Sequence, residues 1–219
     1  MILNLRSFWI STAFASLLVF AAPLRAQSSI ELAPFVGYYR PMGSFAPASV
    51  YSTSLPSKPS DLSGVAWGVE ARMWSTHQLG VQLQAAVANS TIAESNTPGG
   101  PMGPYQAQVV IVTAQALFDV SPSAENFRMW LSAGPALIRH GGEAYSNANV
   151  GAPVTFGGAL GAGLRIPMTS HLSLAAGVET ILYHLDIKLP QQLSLNPGRM
   201  ESGSQADLLL HLGLVWSWR

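Results

Sequence analysis

Between residues 207 and 218 the side chains change character with a period of two. Leu208, Leu210, Leu212, Leu214, Trp216 and Trp218 share one face; Asp207, His211, Gly213 and Ser217 share the other, diluted by Leu209 and Val215. Successive side chains of an extended strand point to opposite sides, so this period specifies a strand with one greasy wall and one mixed wall. The alternation recurs along the chain and predicts strands at 29–40, 62–74, 78–93, 105–120, 127–140, 153–167, 171–185 and 204–218. Strands of ordinary sheets run to about 5–6 residues, whereas a tilted strand that crosses a bilayer needs about 9–11. Length favours a membrane barrel.

The connections carry an independent signal. Joins at 75–77, 121–126 and 168–170 are short, and joins at 41–61, 94–104, 141–152 and 186–203 are longer. Strict short–long alternation is the organisation of an outer-membrane barrel, with tight periplasmic turns and longer extracellular loops. The fold class expected is all-β, an eight-stranded antiparallel up-and-down transmembrane β-barrel spanning 27–219. A soluble lipocalin-like barrel is the alternative, and it requires the reverse arrangement, greasy inside and polar outside.

Composition agrees with a chain that has little water-facing wall. Only 10% of residues are charged, the formal net charge is zero, and there is no cysteine. No basic surface suggests nucleic acid, and thiolate metal sites and disulfides are excluded. The N-terminus adds an address. Arg6 precedes an apolar stretch over 8–22, and Pro23-Leu24-Arg25-Ala26 then leads to Gln27, which reads as a signal-peptidase site after Ala26. The apolar run is shorter than the roughly 20 residues of a spanning helix, so residues 1–26 are expected to be a cleavable signal peptide. Without Arg6 and Arg25 the mature chain is slightly acidic.

Sorting each strand by parity separates two faces. Val65, Trp67, Val69, Ala71 and Met73 alternate with Gly64, Ala66, Gly68, Glu70 and Arg72; Phe156, Leu160, Leu164 and Ile166 alternate with Gly157, Ala159, Gly161, Gly163 and Arg165. The fourth strand is weaker, because Val109 and Ile111 stand at inward positions, and the fifth breaks register near Pro135, where a bulge or an edge of the belt is expected. The inward charges are Glu31, Glu70, Glu179 and Asp207 against Arg72, Arg128 and Arg165, with His211 beside them. An eight-stranded barrel is only wide enough to be filled by side chains, so these charges must pair. The expectation is a structural polar core that plugs the barrel. Aromatic residues at the strand ends read as two interfacial girdles: Trp74, Phe127, Trp130, Trp216 and Trp218 near the short turns, Tyr38, Tyr39 and Tyr183 near the long loops.

The last residues, His211-Leu-Gly213-Leu-Val-Trp216-Ser-Trp218, resemble the C-terminal assembly signal of outer-membrane barrels. That resemblance implies that His211, Gly213, Trp216 and Trp218 are read by the barrel-assembly machinery; Arg219, beyond the aromatic, is a departure from it. The mature chain as a whole resembles the OmpA/OmpX-like group of eight-stranded outer-membrane barrels. The resemblance is architectural and implies a bacterial outer-membrane location, with lipid and lipopolysaccharide as surroundings.

Enzymatic and metal chemistry find little support. Tyr145-Ser146-Asn147 resembles half of the His-any-Ser-Asn stretch of lipid A deacylases, but Ala144 stands where the base belongs and His140 lies six residues upstream. His77, His140, His171, His184 and His211 show no ligand spacing. No cofactor, metal site or catalytic residue is expected. The reading is a monomeric, non-enzymatic barrel with an envelope-structural or surface-interaction role carried by its loops, whose extracellular ligand the sequence does not name. The alternative is a narrow channel or hydrophobic-ligand transporter.

Overall fold

The computed structural model describes residues 29–42, 63–92, 105–121, 127–142, 154–188 and 200–218. The expected signal peptide, most of the long connections and the Ser146-Asn147 stretch lie outside the described residues. Eight antiparallel strands follow one another: β1 (Ser29–Pro41), β2 (Gly64–Trp74), β3 (Leu79–Ile92), β4 (Tyr105–Asp119), β5 (Arg128–Gly141), β6 (Val154–Pro167), β7 (Leu172–Lys188) and β8 (Met200–Trp218). Each pairs with its sequence neighbours, and β8 pairs with β1, so the sheet closes and leaves no edge.

Closure staggers the ladder. Partners followed from Ile30 through Met73, Val81, Ala116, Ala133, Leu160, Thr180 and Leu208 return to β1 at Arg40, ten residues further on. That stagger tilts the strands and sets the diameter. Because the offset is even, a residue facing outward on the first pass meets one facing outward on return, and the two walls never mix.

From the short turns up to the level of Arg40 and Arg139 the outward wall is predominantly apolar. Val36, Trp67, Leu83, Val112, Leu131, Leu160, Val178 and Leu212 are all exposed on it. Such a belt against a polar-containing interior is the arrangement a bilayer stabilises and the opposite of a lipocalin-like barrel. Two of the three short turns share one device. Thr76 Oγ1 accepts from Gln78 N and Leu79 N (3.2 and 2.9 Å), and Thr169 Oγ1 accepts from His171 N and Leu172 N (3.3 and 3.0 Å). A threonine at the same turn position satisfies backbone donors that the ladder leaves over.

Three expectations are corrected. At Pro135 the β4–β5 ladder is interrupted without a bulge: Thr113 faces Ala136 and Ala116 faces Ala133 in the same register, the two positions between are unpaired in the ladder, and inward parity holds from Arg128 to His140. Pro135 lacks an N–H and points outward, while Gly134 lets β4 approach so closely that a Cβ would collide with the Ala114 backbone. β7 and β8 also outrun the expected ends, pairing as far as Lys188 with Met200, because the sheet continues past the level where alternation is required. Finally, Trp74, Trp130, Tyr39 and Tyr183 are buried inside the barrel rather than in a girdle. Among the described residues the outward aromatics are Phe118, Phe127, Trp216 and Trp218 toward the short turns, and Tyr38, Trp67 and Phe156 toward the long connections.

Candidate functional site

The interior is the chemically distinctive part of the molecule, and it is stacked in layers. Nearest the short turns, Trp74 and Trp130 meet edge to face at 6.5 Å between centroids. The Arg72 guanidinium lies 4.3 Å over Trp130, and that of Arg128 lies 4.3 Å over Trp74. Arg128 also pairs with Asp119 at 2.7 Å. Two indoles between two guanidiniums form a floor, since the ring faces carry negative charge and attract the cations. Ala33, Leu117, Ala175 and Val215 complete this layer.

Above the floor the inward positions of β2, β3, β4, β5, β7 and β8 are polar or glycine, Phe35 of β1 packs on His211 with centroids 4.8 Å apart, and the polar groups reach across the barrel. Glu31 on β1 is held by Arg165 on β6 and lies 3.9 Å from Arg72 on β2. Arg72 donates to Glu70 and, through Nε, to Gln82 Oε1 at 2.8 Å. Glu70 in turn meets His211 Nε2 of β8 at 2.8 Å. A second arm runs from Gln82 to Gln84 (3.1 Å), from Gln84 to Glu179 on β7 (2.8 Å), and from Gln115 to both Glu179 and Thr113. Inside a low-dielectric barrel each carboxylate needs such partners, because an isolated buried charge costs several kcal/mol. Glu70, Arg72, Gln115, Glu179 and His211 surround a cavity of about 10 Å³, room for about one water.

The next layer is apolar. Ile111, Ile138, Ile181 and Leu209 are fully buried and meet Phe35 and Val109 in one cluster. Above it Asp207 Oδ2 accepts from Tyr39 Oη at 2.6 Å and Tyr183 Oη at 2.9 Å, and Tyr183 Oη lies 3.3 Å from His140 Nε2. These bonds tie β1, β5, β7 and β8 together at the end that carries the long connections.

Glu31, Glu70, Arg72, Glu179, Asp207 and His211 are buried, and Arg128 and Arg165 are partly buried. The structure joins Glu31, Glu70, Arg72, Arg165, Glu179 and His211 in one network, and separates Arg128 below it and Asp207 above it. Sequence reasoning missed Asp119, Gln82, Gln84, Gln115, Tyr39, His140 and Tyr183. Parity was the available signal for all but Gln82 and Gln84, since each of the others stands an even number of positions from a recognised inward residue on its own strand, and β3 offered none.

Of the C-terminal quartet, His211 joins the network and Gly213 faces inward where a Cβ would press on the Pro34 carbonyl and Phe35. Trp216 and Trp218 face outward with ring centroids 6.4 Å apart. Among the described residues no cluster of His, Asp and Glu has metal-binding geometry.

No protein-family model matches the chain, and no curated protein sequence does. Solved structures do. The outer membrane protein OprG of Pseudomonas aeruginosa superposes with a TM-score of 0.57 at 11% identity, over 89% of this chain and 97% of that one. A major outer membrane protein from Thermus thermophilus gives 0.53 at 13% identity, over 88% and 100%. The outer membrane protein AlkL, determined in lipid bilayers, gives 0.53 at 12% identity, over 90% and 93%. The chain therefore has the fold of the eight-stranded outer-membrane β-barrels.

Proposed function

We propose that the protein is an integral, monomeric, non-enzymatic barrel of the bacterial outer membrane, exported by its N-terminal signal and inserted through recognition of His211, Gly213, Trp216 and Trp218. It serves as a closed scaffold whose extracellular loops carry a surface-interaction or envelope-structural role. The observation that carries this reading is the filled cross-section: the Trp74–Trp130 floor and the Arg72-centred network occupy the space a pore would need. The apolar outward wall supports a membrane location, and the three outer-membrane barrels of like fold agree with it.

Single-channel recording in planar bilayers tests the scaffold against a channel. A plugged barrel gives no stable ohmic conductance, and a large, long-lived, ohmic current abolishes the reading. Fractionation of expressing cells, with a gel on which the folded barrel migrates differently before and after boiling, tests location and barrel character together.

A further inference from the structure

The outward wall changes chemistry at one level. Among the described residues it carries no charged side chain from the short turns upward until Arg40 on β1 and Arg139 on β5, both at the long-connection end. Their surroundings differ. Beside Arg40 stand Tyr38 on its own strand and Leu208 on β8. Beside Arg139 stands a pair of side-chain amides: Asn89 and Gln108 face one another across β3 and β4, and Gln108 Nε2 donates to Asn89 Oδ1 at 3.2 Å. Gln108 lies diagonal to Arg139, one outward position above Val110, which Arg139 directly faces. Diagonal neighbours on one face are about 7–8 Å apart, within reach of an arginine side chain. The Gln108–Asn89 bond uses one amide N–H and one carbonyl, which leaves Gln108 Oε1 as an acceptor and Asn89 Nδ2 as a donor on this exposed pair. Among the described residues Arg139 has no carboxylate partner.

Below this polar triplet, past one row of Val112, Leu137 and Phe156, the wall turns shallow. By the register on either side Ala114 lies level with Pro135, which pairs with Gly158, and Ala116 and Ala133 form the row beneath. Phe156, 77% exposed, and Leu160, 55% exposed, stand proud along its β6 side. The surface thus has a fixed cation and two amides at the height of a membrane interface, and a depression beneath them at the height of hydrocarbon. An occupant must be an amphiphile with an anionic head. A guanidinium binds phosphate oxygens in bidentate fashion, and paired amides suit the hydroxyls of a sugar.

We propose that the outward wall over β3–β6 is a docking surface for a phosphorylated glycolipid of the outer leaflet, with a phosphate on Arg139, sugar hydroxyls on Gln108 and Asn89, and an acyl chain along the Ala114–Pro135–Gly158 depression. The inference rests on the membrane reading above, and the gel that detects the folded barrel is run first. A chain that does not insert overturns both readings, whereas an inserted chain that ignores the lipid overturns this one alone. Folded protein in phosphatidylcholine nanodiscs doped with lipid A is released into a native mass spectrometer, and retained lipid is counted. The expected result is one lipid A held in preference to phosphatidylcholine. Arg139→Ala should weaken that retention about fivefold or more, on the scale of one interfacial cation, Gln108→Leu should weaken it less, and dephosphorylated lipid A should not be retained. Arg40→Ala should leave it unchanged. Equal losses for Arg40→Ala and Arg139→Ala would mean diffuse attraction and overturn the site. So would full retention by Arg139→Ala, equal retention of the dephosphorylated lipid, or a second copy of the chain in place of lipid.

Discussion

Arg72→Ala is the substitution that most directly tests whether the barrel interior is dry. Arg72 is 2% exposed, donates to Glu70 and Gln82, lies 3.9 Å from Glu31, and stacks 4.3 Å over Trp130. Its removal leaves Glu70 with His211 as its one remaining ionic partner, while Glu31 keeps Arg165. Breaking a buried pair from one side costs about 3–5 kcal/mol, because the surviving charge stays desolvated. The lost cation–π contact, worth up to ~2 kcal/mol when desolvated, pushes the total toward the upper end. A water-filled lumen would screen the same pair and reduce the loss to about 0–1 kcal/mol. Urea unfolding of protein inserted in phospholipid vesicles, followed by tryptophan fluorescence and by the boiling-dependent gel shift, measures the difference. The double variant Arg72→Met with Glu70→Gln fills the space and removes the stranded carboxylate, so it should recover at least about half of the loss. A single-variant cost below about 1 kcal/mol refutes the dry plug. A double variant as unstable as Arg72→Ala refutes charge pairing as the cause.

Two further substitutions test the walls. Gly163→Ala places a methyl group against the Trp130 ring, which is clamped between Arg72 and Trp74, and overpacking of this kind should cost about 1–3 kcal/mol; Gly158→Ala, outward with its nearest contact at 3.9 Å, should be within about 0.5 kcal/mol of neutral in the same unfolding assay. Leu212→Arg puts a charge in mid-belt and should cost about 2–4 kcal/mol, whereas Ser204→Arg near the rim should cost about 0–1 kcal/mol, so equal costs would mean the outward wall does not face lipid.

Much of this architecture is legible in the chain because a barrel couples local pattern to global position. Alternation gives the strands, most to within two residues, and parity carries Glu70 and Arg72 inward with Val69 and Ala71 outward. Parity also outranks residue type. Trp74 is two positions from Arg72, and Trp130 two from Arg128, so both turn inward although their chemistry suits an interface. The same count places Tyr39 with Glu31 and Tyr183 with Glu179. Contacts across the lumen are another matter. Gln84 meeting Glu179, or His211 meeting Glu70, depends on which residues the stagger brings to one height, and no local pattern encodes that. Of the apolar ring of Ile111, Ile138, Ile181 and Leu209, only Ile111 and Leu209 stand out in the sequence, as noise at inward positions. Its members come from four strands and make sense only once the barrel is closed.

The even stagger that closes the wall has a consequence for how such a gene can change. Losing or gaining one codon within a strand would turn all side chains beyond it inside out, setting leucines in the lumen and carboxylates in lipid at one stroke. Codons can be added or removed between the strands at the long-connection end without touching that parity. Length variation is therefore confined to the rim, while the staves drift one substitution at a time, and a chain of this kind can share its shape with distant barrels while retaining little of their sequence.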